Sequence, residues 1–344
     1  MSRSSPRLAA MLLLPTLVLI AACSLPGAGQ PSVVIYTSVD QVFSEPTLEE
    51  FEAQTGIRVL PVYDVEAAKT TGLVTRLIAE KGRPQADVFW SGEIAQTIAL
   101  QEEGVLAPYH SPSADDIPAT FCDPEYHWIG FAGRARVLLV NTDEVPLERI
   151  PRSIDDLLDP DWPADRIGIA YPMFGTTATQ AAALYAHLGP EPALAYFCAL
   201  RDRGVRVVDG NSVVRDMVAD GRLAFGLTDT DDACGAVERG APVEIVFPDQ
   251  GEDDLGTLVV PNTVALIAGA PHPDEARALI DFLASAETER RLVEIGWSHA
   301  PVRPLDVAIG CMGETAIRPM DVSFAEVYRH LARSQEELGA MFIR

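Results

Sequence analysis

"VVIYTSVDQVFSEPTLEEFEAQTGIRVLPVY", Val33 to Tyr63, changes its hydrophobic period twice within one unit. Val33–Ser38 is a short β-branched run that reads as a strand. Glu45–Gly56 brings Leu48 and Phe51 onto one helical face and stops at a glycine, and Ile57–Tyr63 returns as a strand. The order recurs downstream. A helix is expected from Thr70 to Lys81, with Leu73, Val74, Leu77 and Ile78 apolar; the strand "ADVFWS" (Ala86–Ser91) follows, then a helix from Glu93 to Glu103. Repetition of strand and helix implies an α/β fold whose parallel sheet is covered on both faces. A chain of 344 residues is too long for one core, so two lobes are expected. The apolar strands "RARVLLVN" (Arg134–Asn141) and "LGTLVVPNTVALI" (Leu255–Ile267) are candidates to cross between the lobes, with a cleft between them. Ligands of open α/β sheets bind beyond the carboxyl ends of strands, so residues just after strands carry the functional reading.

The N-terminus bears on location. Met1–Cys23 holds two arginines, an apolar run containing Pro15, then small residues before a cysteine, the pattern of an export signal. Ile20-Ala21-Ala22-Cys23 resembles a bacterial lipobox, which would leave Cys23 as the lipid-modified first residue of the mature protein. The run is short for a bilayer span and is broken by proline, which disfavours a transmembrane anchor. Ordinary signal cleavage nearby is the other alternative. "SLPGAGQPS" then reads as a tether. The formal charge is −24, and the signal takes two arginines with it. Nucleic acid is thereby an unsuitable partner, because a phosphate backbone needs a basic face. Cys122, Cys198, Cys234 and Cys311 could pair in three ways or stay as buried thiols, and their spacing does not suggest zinc.

The segments "VVIYTSVDQVFSEPTLEEFEAQTGIRV", "QADVFWSGEIAQTIALQEEGVLAPY", "GFAGRARVLLVNT", "GNSVVRDMVADGRLAFGLTDTDD" and "VALIAGAPHPDEARALIDFLAS" resemble, in that order, the extracellular solute-binding proteins of ABC importers, in the branch that includes ferric-iron-binding proteins. The resemblance covers about Val33 to Pro304. It implies a two-lobed periplasmic-binding-protein fold with a hinge and an interlobe cleft, preceded by a lipoprotein signal peptide. The expected division is 1–22 signal, 23–32 lipidated tether, 33–135 and 258–305 first lobe, 136–257 second lobe, and 306–344 a helical segment docked on a lobe. It also implies a monomer that needs no cofactor, is exported and held at a membrane only through lipid, and passes its ligand to a permease and ATPase. A subunit that senses ligand for a signalling protein would use the same cleft.

Iron-binding members carry a histidine or tyrosine after the first strand, a glutamate after the third and two adjacent tyrosines late in the second lobe. Here Tyr36 is present, the position four residues on is Asp40, and Glu93 stands one residue from the family's glutamate. Thr230 and Asp231 occupy the place of the tyrosine pair. One reading makes Asp40, Glu93, Asp231 and Asp232 an all-oxygen shell for Fe(III), with Tyr36 and Thr230 beside them. A second makes Thr228, Thr230 and the aspartates hydrogen-bonding groups for an organic solute. The plain alternative is that "DTDD" (Asp229–Asp232) caps a helix or forms a solvated turn.

"GTTATQAAALYAHLG" (Gly175–Gly189) opens a helix whose N-terminal amides, with Thr176 and Thr177, suit an accompanying anion; capping alone would explain the same residues. Arg134 and Arg136 lie on one face of a strand and offer a fork to phosphate, carbonate or carboxylate, or a partner to a structural acid. Asn211 joins them as the last member of the expected anion pocket. Such a pocket serves iron with its anion, or an organic phosphate or phosphonate without metal. Trp90, between "DVF" and Ser91-Gly92-Glu93, is the tryptophan expected to feel a ligand.

Nothing signals catalysis. G-x-S-x-G, the P-loop, H-E-x-x-H and the dinucleotide fingerprint are absent, and the six histidines lack metal spacing. A hydrolase using cleft carboxylates is the distant alternative to a binding protein.

Overall fold

The computed structural model describes residues 30–63, 71–312 and 317–342; the signal segment, Cys23 and most of the tether lie outside the described residues. The opening unit is β1 (Ser32–Thr37), α1 (Gln41–Thr55) and β2 (Arg58–Tyr63), with β1 and β2 parallel and Ser32 opposite Arg58. The helix starts four residues earlier than its sequence pattern suggests and contains Pro46. Pro46 is the sixth helical residue, beyond the first turn, so α1 forgoes the bond that an N–H there would make to Val42 O. Gly56 ends α1 at φ 71°, a left-handed conformation that a β-carbon would oppose.

Helix α2 (Thr71–Glu80), β3 (Val88–Ser91), α3 (Ile94–Glu102), β4 (Leu106–Ala107) and β5 (Ile129–Asn141) follow. Next come β6 (Ile167–Ala170), α4 (Gly175–Leu188), α5 (Pro190–Arg203), β7 (Arg206–Val208), α6 (Asn211–Ala219), β8 (Phe225–Asp229), α7 (Thr230–Glu238) and β9 (Val243–Val246). β10 (Val259–Ile267), α8 (Pro273–Leu283), α9 (Ala286–Glu294) and α10 (Phe324–Met341) complete the chain. The strands run in the order β2-β1-β3-β10-β5-β8-β6-β7, with β4 on β10 and β9 on β5.

The sheet is mixed, not wholly parallel. β1, β2 and β3 are parallel in the first lobe and β6, β7 and β8 in the second, whereas β10 and β5 run against their neighbours. β5 is the strand shared between lobes: Ile129–Ala135 pairs with β10, and Arg136–Asn141 pairs with β8 and β9. β10 pairs within the first lobe, and the return path touches β5 where Arg136 N–H donates to Leu258 O at 2.9 Å.

This register aims both lobes at one point. In the first lobe Ser91, at the carboxyl end of β3, lies opposite Thr263, near the β10 end that meets Ala135. In the second lobe Asp229, at the carboxyl end of β8, lies directly opposite Arg136. The carboxyl ends of both sets of parallel strands therefore converge on residues 134–136, where open α/β sheets bind ligands. Gly133, just before them, has no room for a side chain: a β-carbon would come within 2.8 Å of Ala300 O.

Three devices clamp this junction from behind. Glu289 of α9 is fully buried and accepts from Ala132 N–H (2.8 Å), Val302 N–H (2.7 Å) and Arg303 Nε (2.8 Å). A disulfide joins Cys234 of α7 to Cys311, 77 residues on, while Cys122 and Cys198 are free and partly buried. In a loop-entropy account such a link removes on the order of 4 kcal/mol of unfolded-chain freedom. Helix α10 spans the lobes, since it packs on α4 and α5 and also on α3. Tyr185 OH donates to Glu337 at 2.8 Å, and Phe324 stacks 6.3 Å from Phe121.

Glu289→Ala would strand the amides of Ala132 and Val302 and leave the buried Arg303 with the exposed Asp116 as its remaining acid, so it should cost about 3–5 kcal/mol. Urea unfolding monitored by circular dichroism measures this; a loss below about 1 kcal/mol would show that water replaces the carboxylate.

Candidate functional site

The charged group sealed at the junction is Arg136, fully buried on β5. Its Nη1 donates to Asp229 Oδ1 at 2.7 Å and to Asn211 Oδ1 at 2.9 Å, and its Nε donates to Gln180 Oε1 at 2.7 Å. Thr176 Oγ1 (2.5 Å) and Asn211 Nδ2 (2.8 Å) both donate to Asp229 Oδ2. Arg136, Thr176 and Asn211 thus come together as the sequence suggests, but the anion they hold is the side chain of Asp229. This corrects the expectation of a free anion there: Arg136 has taken a structural acid. Thr177 Oγ1 donates to Asn211 Oδ1 at 3.3 Å and serves as a support for that cluster. Neither threonine caps α4, whose N-cap is Phe174 with no capping side chain. Arg136 Nη2 is buried with no hydrogen-bond partner, the one part of the fork still open.

One turn outward the chemistry changes. Asp231 and Asp232 occupy the first turn of α7, where the helix dipole favours negative charge. Ligand oxygens of Asp229, Asp231 and Asp232 lie within 4.8 Å of one another. Asp231 is the exposed member, with 41% of its side chain accessible, and meets Arg134 Nη1 only at 3.5 Å. Asp232 accepts from Arg215 Nη1 at 2.9 Å. Even so, burial first, and then the charges of Asp231 and Asp229, push Asp232 up to about 7.

The first lobe contributes Gly92 and Glu93. Arg134 Nη2 donates to Gly92 O at 2.6 Å, and Glu93 accepts from Ala95 N–H at the start of α3 and from Thr179 Oγ1 of α4, both at 2.8 Å. Burial raises the Glu93 carboxyl above the usual carboxylate range. The Glu93–Thr179 bond runs from one lobe to the other, so the lobes meet over the acidic cluster.

Other expected site residues have different duties. Thr230 is buried and accepts from Ala135 N–H at 3.1 Å, pinning α7 to β5. Tyr36 faces α2, where its OH donates to Glu80 at 3.0 Å and Arg76 lies over the ring. Burial and Glu80 raise its phenol to about 12, so it is a poor phenolate ligand. Asp40 stands at the same edge of the sheet and its carbonyl holds the first turn of α1, but it is outside the three-aspartate cluster. Trp90 is fully buried against Phe131 and belongs to the core. Asp229, not singled out as a ligand in sequence, is the hub. Its signal was its place opposite Arg136, which requires knowing the register.

Residues 84–309 match the family described as bacterial extracellular solute-binding protein. The chain belongs to that family. This solute-binding protein is 25% identical over 83% of its length to iron uptake protein A1 of Synechocystis sp., covering 80% of that relative. It is 24% identical to a putative 2-aminoethylphosphonate-binding periplasmic protein of Salmonella typhimurium, over 84% of each chain. Among solved structures, a Trichodesmium protein in complex with iron and citrate superposes with a TM-score of 0.78 at 21% identity, covering 91% of this chain and all of that one. The superposition shows the two-lobed fold shared with the Trichodesmium protein.

The two faces of the site should separate on mutation. Asp229→Ala removes the partner of a buried guanidinium and should destabilise the solute-binding protein by about 3–5 kcal/mol, whereas Asp231→Ala, losing one long exposed contact, should change stability by less than about 1 kcal/mol. Thermal unfolding of the two variants compares them directly. Asp232 carries the pH dependence. Its folded-state value lies above the unfolded one, so it stabilises the empty protein at low pH, and that contribution is lost as pH rises through about 7. Between about pH 5 and about pH 8 the melting temperature of Asp232→Asn should therefore fall less than that of the parent.

Proposed function

We propose that this solute-binding protein captures ferric iron in the interlobe cleft and delivers it to a membrane permease driven by an ATPase. The observation that carries the reading is the group of three aspartate carboxylates within 4.8 Å where the lobes meet. Fe(III) is a hard cation, and carboxylate oxygens suit it. Asp231 and Asp232 are the ligands nearest the cleft, and Glu93 joins from the opposite lobe by exchanging Thr179 for metal. Asp229 stays on Arg136 and holds the turn in place. The cation replaces Arg134 beside Asp231, a long contact that is easily given up. Relatives named for iron uptake and ferric iron binding support this choice. An export signal and lipidation at Cys23 would hold the monomer beside its permease.

One feature favours a second cargo. Each aspartate of the cluster has an arginine partner, Arg136, Arg134 or Arg215, and Arg136 keeps an unpartnered buried N–H. A zwitterionic phosphonate could use both signs at once, in line with the Salmonella relative's name.

Calorimetric titration with ferric citrate and, separately, with 2-aminoethylphosphonate distinguishes them. Iron should bind, with Asp231→Ala weakening it by about tenfold or more, equivalent to roughly 1.4 kcal/mol. Affinity should also fall as pH drops below about 7, because the cation must displace the proton held at Asp232. Heat with the phosphonate and none with iron would assign the cleft to an organic anion.

A further inference from the structure

About one turn further along the aspartates' helix, a second constellation combines softer donors. Cys234, on α7, and Cys311 have their α-carbons 5.3 Å apart, and His299 places a ring nitrogen so that all three ligand atoms lie within 4.8 Å of one another. His299 is 6% exposed, and its buried Nδ1 has no hydrogen-bond partner. A buried ring nitrogen is normally satisfied, so an unpartnered one on a ring that also places a nitrogen near two sulfurs calls for an explanation. The free cysteines Cys122 and Cys198 are not part of this group.

We propose that Cys234, Cys311 and His299 form a redox-gated site for a thiolate-preferring metal ion of the zinc class, formed only when the disulfide is open. A dithiol reductant opens it by exchange. Two electrons pass to the Cys234–Cys311 bond, each cysteine gains a proton, and the reductant leaves as its own disulfide. The metal ion then binds both sulfurs, releasing the two thiol protons to solvent, and takes the imidazole nitrogen as third ligand, with water completing the shell. Two thiolates and one imidazole suit zinc, whereas the all-carboxylate cluster suits a harder ion. Ligand atoms on one tetrahedral zinc stand roughly 3–4 Å apart, so closing on the ion needs shifts of about 1–2 Å from this arrangement.

The geometry also says what the metal adds. The disulfide joins two segments, α7 and the chain around Cys311. His299 belongs to a third, and its backbone N–H donates to Gly133 O within the strand shared by the lobes. A bound ion ties all three segments together, where the disulfide ties two.

The test uses the full chain with Cys23, Cys122 and Cys198 each replaced by serine, so that the remaining thiols are the pair in question. Cobalt(II) is titrated into oxidised and dithiol-reduced protein while thiolate-to-metal absorption is followed. Only the reduced protein should show the band, saturating at one ion per chain and bleached by zinc. His299→Ala should weaken cobalt binding at least about tenfold, equivalent to roughly 1.4 kcal/mol. Asp231→Ala should leave the band intact, which separates this site from the cargo cluster. Zinc should raise the melting temperature of the reduced chain and leave the oxidised chain unchanged. No thiolate band on reduction, equal affinity in His299→Ala, or a reduced chain that zinc fails to stabilise would each overturn the proposal.

Discussion

The pairing of Arg136 with Asp229 fixes the rest of the site. Both side chains are almost fully withdrawn from water, and a guanidinium in that position must find an acid or the fold loses several kcal/mol. The pair sits directly across β5 and β8, so it locks the register of the second lobe onto the strand both lobes share. It also gathers Thr176 from the start of α4 and Asn211 from the start of α6. With those helix starts anchored, α7 begins immediately after Asp229, and its first turn presents Asp231 and Asp232 to the cleft. The exposed acids are where they are because the buried one is held.

Much of this architecture was legible from residue patterns. The first βαβ unit and the buried face of α8, made by Ala276, Leu279, Ile280 and Leu283, follow from local periodicity. What periodicity could not supply was long-range pairing. Antiparallel β5 and β10 look like any apolar strand. Asp229 and Asp231 look alike in "DTDD", yet one ends a strand and is buried, and the other opens a helix and is wet. Arg134 and Arg136 do share a face in sequence, but one reaches Gly92 and the cleft while the other is sealed beneath α4. Tyr36 was recognisable as a tyrosine in the right segment; only packing shows that Glu80 holds it. The cysteine pairing depends likewise on tertiary proximity.

Closure over the site is held by few groups. Glu93 to Thr179 and Arg134 to Gly92 and Asp231 are the polar links around the acids, and α10 adds a strap from α3 to α4 and α5. A cargo shifts the lobes toward closure only by binding that arrangement better than an open one. An ion that engages Asp231 and Asp232 from one lobe and Glu93 from the other has that property. An ion bound to the second lobe alone would not.

The direct test is a crystal structure of the protein grown with ferric citrate, with iron located by anomalous scattering. Iron should sit on Asp231, Asp232 and Glu93 at about 2.0–2.2 Å, with no phenolate ligand and with Asp229 still paired to Arg136. Iron bound to Tyr36 or outside the cleft, or a cleft filled by citrate alone on Arg136, would contradict it.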